Sequence, residues 1–486
     1  MDDDTGKSKL SLPEIKKRLK SSFVSLFARQ ILLRAIGFIS INIVLARLLS
    51  VETLGIFNIA TAIVSFFAFF SDIGLAASLI QKKEDIEYSD IKTTFTIQQI
   101  IVGFLSLIII FGAPYLGNFY SLNDSGIWLI RVLGISFFLS SLKVIPSVML
   151  ERQLKFNPLV FVEVLETVIF NGVLIAAVLA KFDIWSFSIA ILARGVVGVI
   201  VIYILAPTKI GFGIDKISAK KLLSFGVPYQ VNNLLALTKD RLVPLVIARL
   251  VGPTGIGYIT WAQAIAFLPL EIMNVIIRIT FPAFSRLQDD KESLSIAVDK
   301  SLFLTALFVY PALFGLGAIL PSVVTFVVSS KWQPAMSSFY LFAFSTYWAV
   351  ISTTLTNTLN ATGHIKQTLK LMIMWTVLTW ILTPVLTYYY GYLGVGIASF
   401  IISFSSVMTI ILVKRILPIK VMEAIILPTG AAILMAGLMY LFSENFVRSK
   451  LSLIPTIILG ALIYIGVVYL FGKDRIIKDI KALKNV

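Results

Sequence analysis

Thirteen ionisable side chains stand inside stretches of this sequence that are otherwise apolar. Eight are basic, namely Arg29, Arg34, Arg131, Lys143, Arg194, Lys239, Arg241 and Arg278, and five are acidic, namely Asp72, Glu163, Glu166, Asp240 and Glu271. A charge in hydrocarbon is costly and persists where it pairs, reaches water or binds a ligand. The basic excess gives any water-filled cavity lined by these groups a positive interior.

Depth and spacing sort the group. Arg34 falls about 11 residues into the first apolar segment, near mid-membrane at a rise of roughly 1.5 Å per residue. Lys239 and Arg241 stand near the middle of the seventh segment. Arg278 shares one helix face with Glu271 and Asn274, at spacings i, i+3 and i+7. These four cations, Arg34, Lys239, Arg241 and Arg278, are the expected substrate-binding groups. Asp72, Glu163, Glu166 and Glu271 are the candidates for ion coupling; the alternative for Arg34 is a structural pair with Asp72, for one of Lys239 and Arg241 a pair with Asp240 or a carboxylate on another helix, and for Glu163 or Glu166 a pair with Arg194. Arg29, Lys143 and Arg131 lie near segment ends and are expected to snorkel. Gln98, Gln99, Asn232, Asn233, Asn357 and Asn360 are expected to join helices by hydrogen bonds rather than to bind sugars. One histidine, His364, and no cysteine leave no expected metal site, thiol nucleophile or disulfide. No cofactor is expected.

The elements that must hold these groups are transmembrane helices. Mean hydropathy is +0.92, with 58% hydrophobic and 14% charged residues, beyond what a water-soluble domain can cover. Fourteen apolar segments are expected, near 23–49, 53–80, 93–117, 127–150, 159–181, 184–206, 220–250, 255–282, 298–328, 335–360, 367–391, 393–413, 421–443 and 451–472. With the N-terminus placed in the cytoplasm, 28 of the 42 Lys and Arg fall on the cytoplasmic side, six on the outer side and eight within segments. The positive-inside rule therefore predicts both termini in the cytoplasm. It also assigns the net charge of +16 to topology and anionic-lipid contact, not to nucleic acid.

Residues 42–67 and 244–269 repeat one phrase at an offset of 202, sharing Val44/Val246, Ala46/Ala248, Arg47/Arg249, Leu48/Leu250, Gly55/Gly257, Ala60/Ala262, Ala62/Ala264 and Ile63/Ile265. The offset covers an even number of segments, so the copies enter the membrane in the same direction, as parallel repeats do. The expected organisation is an N-terminal tail (1–22), a six-helix lobe (23–206), a linker (207–219), a second six-helix lobe (220–413), and an appended helix pair with a tail (414–486). The fold class is thus an all-α polytopic membrane protein. Pro146, Pro228, Pro244, Pro269, Pro311 and Pro384 are expected to kink helices.

The phrases ARLLSVETLGIFNIA (46–60), FFSDIGLAASLIQKKE (69–84) and LVGPTGIGYITWAQAIAFLPLEIMNVIIRITFPAFSRLQDD (250–290) resemble the polysaccharide-transporter branch of the MOP superfamily, the Wzx-type flippases with a MATE-like fold. The resemblance implies translocation of a polyprenyl-diphosphate-linked oligosaccharide across the cytoplasmic (inner) membrane. It implies as partners that lipid-linked substrate, membrane lipids and other polysaccharide-assembly proteins. It transfers no individual site residue. The alternatives are a lipid II-type precursor flippase, a MATE-like drug or cation exporter, and a membrane polymerase or ligase. An exporter of cations calls for an acidic interior, and a polymerase for a large outer loop; the sequence offers neither.

Overall fold

The computed structural model describes residues 33–71, 74–82, 84–232 and 242–484, and every regular element among them is helical. The chain divides into two compact units, Met1–Ile256 and Gly257–Val486. The first holds α1 (33–48, with a π-helical run over Ser40–Leu45), α2 (Val51–Ala68), α3 (Leu75–Gln81), α4 (Tyr88–Phe119), α5 (Asp124–Leu142), α6 (Val144–Arg152), α7 (Phe156–Leu179), α8 (Trp185–Leu205) and α9 (Lys216–Asn232). Helix α10 (Val243–Phe267) runs into the second unit, which continues with α11 (Leu270–Arg286), α12 (Lys291–Ser322), α13 (Gln333–Ala361), α14 (Ile365–Tyr390), α15 (Leu393–Ser403), α16 (Ser406–Lys414), α17 (Val421–Phe446) and α18 (Leu453–Lys484).

Eleven helical stretches among the described residues are long and apolar enough to cross a bilayer, and the chain is a multi-pass membrane protein. Fourteen segments are expected from the sequence. Three expected segments stand outside the eleven: residues 33–48 and α13 are helical, and the segment expected at 220–250 starts in α9 and crosses residues outside the described ones. Helix α13 is rich in hydroxyls, and it keeps them compatible with an apolar setting by bonding them to its own carbonyls: Thr346 to Phe342 O, Thr354 to Val350 O and Thr358 to Thr354 O, at 2.9–3.0 Å.

The repeat is visible in the backbone. Within the first copy the second helix starts at Val51 because Leu49 and Ser50 turn extended (ψ 159° and 158°), and the Ser50 hydroxyl accepts from Thr53 N at 2.9 Å. The residue 202 positions on is Gly252, at φ 66° and ψ −176°, a region open to glycine alone. Pro253 then begins the next helix, where its missing N–H costs nothing. Helix α10 is thus two helices joined at Gly252, at the break expected between the segments ending at 250 and beginning at 255.

At three of the prolines that interrupt helix ladders, a tyrosine closes the gap. Pro146 leaves the carbonyl four residues back, Leu142 O, without its donor; Tyr203 Oη donates to it at 2.8 Å. Pro311 does the same to Leu307 O, which takes Tyr464 Oη at 2.8 Å. Pro321 frees Gly317 O, which takes Tyr340 Oη at 3.0 Å. Within hydrocarbon a freed carbonyl needs such a partner.

In the second unit α12 packs along α17, burying Val298, Leu302, Ala306, Val309 and Tyr310 with Ala424, Ala431, Ala432 and Met435. In the first, α4 packs on α5, α7 on α8, and α5 also on α2 and α8. The segment expected as a linker lies against α4: Thr96 Oγ1 accepts from Gly213 N and Thr93 Oγ1 from Asp215 N, both at 2.9 Å. Gln99 Oε1 on α4 accepts from Ser141 on α5 at 3.0 Å, joining the two helices as expected of it.

Candidate functional site

The polar centre of the first unit is built where α5 breaks. Pro146 ends the α5 ladder at Leu142, and Tyr203 of α8 holds the freed carbonyl. Lys143, the residue at the break, forms an ion pair with Glu166 of α7. Arg194 of α8 approaches the other carboxylate oxygen of Glu166, Nε to Oε2, at 3.5 Å. Glu166 has a side-chain exposure of 4%, against 19% for Lys143 and 51% for Arg194. A carboxylate this enclosed is stable as an anion only with cations against it, and here three helices supply the triad.

Helix α8 approaches this carboxylate closely because residue 198 is glycine. A Cβ there would fall within the Glu166 carboxylate. Gly195, one turn earlier, faces Ser136 and Leu139 of α5. The pair of small residues brings α8 against both neighbours, a common packing device between membrane helices.

Beside the triad is a cavity of about 260 Å³, lined by Thr61 of α2, Ser136 and Ser140 of α5, Lys143, and Arg194, with Phe57 and Phe170 among its walls. Ser136, Ser140 and Lys143 are spaced i, i+4 and i+7, so one face of α5 supplies them. The Arg194 guanidinium also stands over the Phe170 ring, 6.0 Å from its centroid. Both cations reach the cavity, whereas Glu166 does not line it.

The structure distributes the expected site residues differently. Glu166 is buried in the triad, so its expected alternative of pairing with Arg194 is what is seen, joined by Lys143. The expectation that Lys143 snorkels is corrected: the break at Pro146 turns it onto Glu166. The Ser136, Ser140, Lys143 spacing was the available sequence signal. Arg34 on α1 and Glu163 on α7 are exposed. In the second unit Arg278 and Asn274 are exposed and Glu271 half-buried on α11, whose opposite side buries Met273 and Phe284. Lys239, Arg241, Asp240 and Asp72 lie outside the described residues. Arg131 stacks on Trp128, 4.6 Å from the ring centroid. No cluster of three or more metal-type ligands exists among the described residues.

Solved structures share this fold, among them two. One is a lipid II flippase, MurJ, in an inward closed conformation, at TM-score 0.73 and 15% identity, covering 92% of this chain and 99% of that one. The other is a multidrug resistance MATE family transporter of the MOP superfamily in an inward-facing conformation, at TM-score 0.57 and 14% identity over 81% of this chain and 98% of that one. Identities this low establish the fold and nothing further. Among curated proteins, the chain is 26% identical to the lipopolysaccharide biosynthesis protein WzxC of Escherichia coli (strain K12), over 60% of this chain and 59% of that one. The alignments with the curated relatives span about six-tenths of those proteins' lengths. A family profile described as polysaccharide biosynthesis protein matches residues 44–337, more than half of the sequence. This chain belongs to the polysaccharide biosynthesis protein family.

Proposed function

We propose that this chain is a flippase that moves polyprenyl-diphosphate-linked oligosaccharides across the cytoplasmic (inner) membrane for cell-surface polysaccharide synthesis. It works without covalent catalysis, by alternating access of its two lobes, with both termini in the cytoplasm. The observation that carries this reading is the combination of a polysaccharide biosynthesis family match over residues 44–337 with the fold of a lipid II flippase. The basic excess within the apolar segments supports it, because a diphosphate needs cations along its path. Arg34, Lys239, Arg241 and Arg278 are the proposed diphosphate contacts. Asp72, Glu163 and Glu271 are the proposed ion-coupling groups; Glu166, offered with them from the sequence, is held instead by Lys143 and Arg194. The 28-to-6 distribution of basic residues supports the orientation. The same basic excess weighs against a cation exporter. Other polysaccharide-assembly proteins are its proposed partners.

The test is polymer export in a strain lacking its own flippase, together with flipping of a labelled lipid-linked oligosaccharide in proteoliposomes. The expected result is restored export. Loss of a desolvated phosphate contact costs roughly 2–5 kcal/mol, enough to abolish it in Arg34→Ala or in the Lys239→Ala/Arg241→Ala double variant. Full export by both well-expressed variants would remove these cations from the substrate path. Absence of flipping for every oligosaccharide tried, by folded protein, would overturn the function.

A further inference from the structure

We propose that the cavity between α2, α5, α7 and α8 is an oxyanion-binding site, built for a phosphate or carboxylate group. Its charge is the first argument. Lys143 and Arg194 both line it, while the carboxylate that holds them, Glu166, stands behind them and outside the lining. Two cations against one anion leave one positive charge uncompensated within the group. The contact from Arg194 to Glu166 uses Nε alone, at 3.5 Å. Its two terminal Nη groups make no hydrogen bond among the described residues, so the planar fork that matches an oxyanion is unused.

The second argument is an orphaned hydroxyl. Thr61 Oγ1 is buried in the cavity wall and has no hydrogen-bond partner among the described residues. A hydroxyl left so carries a desolvation cost, which a rotation of the Thr61 side chain toward a bound acceptor would remove. Ser136 and Ser140 bring two further hydroxyls to the same space. The volume is the third argument. At about 30 Å³ per water, 260 Å³ exceeds the need of a monatomic ion and suits a tetrahedral or carboxylated group with part of its carrier. In this arrangement Glu166 is a positioning residue, fixing both cations with their free faces toward the cavity.

The oxyanion is either free or borne by a sugar unit of the transported molecule. The measurement is made on the full chain purified in detergent, by following thermal unfolding while titrating sodium phosphate, sodium glucuronate, glucose and sodium chloride at matched ionic strength. A saturable rise in Tm with phosphate or glucuronate, absent with glucose and chloride, is the expected result. Phosphate alone assigns the site to a free inorganic anion; glucuronate as well assigns it to acidic sugars. Arg194→Gln should raise the half-saturating concentration by at least about tenfold, with Arg194→Lys between it and the native protein. Thr61→Val should weaken binding while leaving ligand-free Tm equal or higher, a signature that a merely structural threonine does not give. No saturable oxyanion effect, or one of equal strength in Arg194→Gln and Thr61→Val, would overturn the proposal. Binding is measured here without transport, so its outcome is independent of the flippase reading.

Discussion

Tyr203 donates its hydroxyl to the carbonyl of Leu142 at 2.8 Å, closing the gap that Pro146 opens in α5 one residue before Lys143. Removing that hydroxyl leaves a carbonyl without a partner in an apolar surround. Tyr203→Phe should cost roughly 1–3 kcal/mol, read as a fall in Tm in detergent. Tyr464→Phe, which uncovers Leu307 O, should do the same, and Tyr388→Phe at an exposed position should not.

Gly198 should admit no side chain. Gly198→Ala sets a methyl group against the Glu166 carboxylate, and overpacking of this kind costs roughly 1–3 kcal/mol. The same substitution in a Glu166→Ala background should cost much less, and a double-mutant cycle on thermal stability measures the difference. Additive effects would show that the two helices separate freely.

The triad should be more sensitive to breaking than to replacement. Glu166→Gln leaves Lys143 enclosed without a counter-ion, at a cost of roughly 3–5 kcal/mol. The double variant Lys143→Met/Glu166→Leu removes the buried carboxylate together with its half-buried partner and should recover most of that stability. Yield and Tm of the purified variants decide between the two outcomes.

Asp215 caps the start of α9, accepting from Ser218 N at 2.7 Å. Hydrogen bonds from the Ser218 backbone and side chain hold its carboxyl below the usual carboxylate range, against a smaller opposing effect of burial. The folded pKa is lowered, so the stabilisation is present above the ordinary value of 3.8 and is lost as pH falls through the folded value. Amide exchange in the first turn of α9, corrected for intrinsic rates, should accelerate below that range. Asp215→Asn should flatten the dependence.

Because the chain has no cysteine, single cysteines report topology cleanly. Asp124→Cys and Ser330→Cys, both at exposed positions, should react with an impermeant thiol reagent from outside intact cells. Lys220→Cys and Lys366→Cys, also exposed, should react only after permeabilisation. Reversed labelling would overturn the proposed orientation.

The membrane class and the helical content were legible because both follow from local composition: an apolar run long enough to span must satisfy its backbone within itself. The break at residues 49–50 and at Gly252 was legible for a similar reason. A conformation closed to side chains selects glycine, and a helix start selects a cap, so the two copies carry their turns in the letters themselves. The charges were legible as types and depths. Of their partners, the pairing of Glu166 with Arg194 was legible as one alternative, and the addition of Lys143 was not. Lys143, Glu166 and Arg194 meet because Pro146 breaks α5, Gly198 lets α8 close on α7, and Tyr203 fixes the break. Each of these acts between helices, where the choice of facing sides depends on close packing of small residues and not on the hydropathy of any one segment. The sequence by itself determined that this protein spans the membrane as repeated helices carrying excess positive charge. The tertiary structure alone decided which of those charges face one another and which face an open cavity.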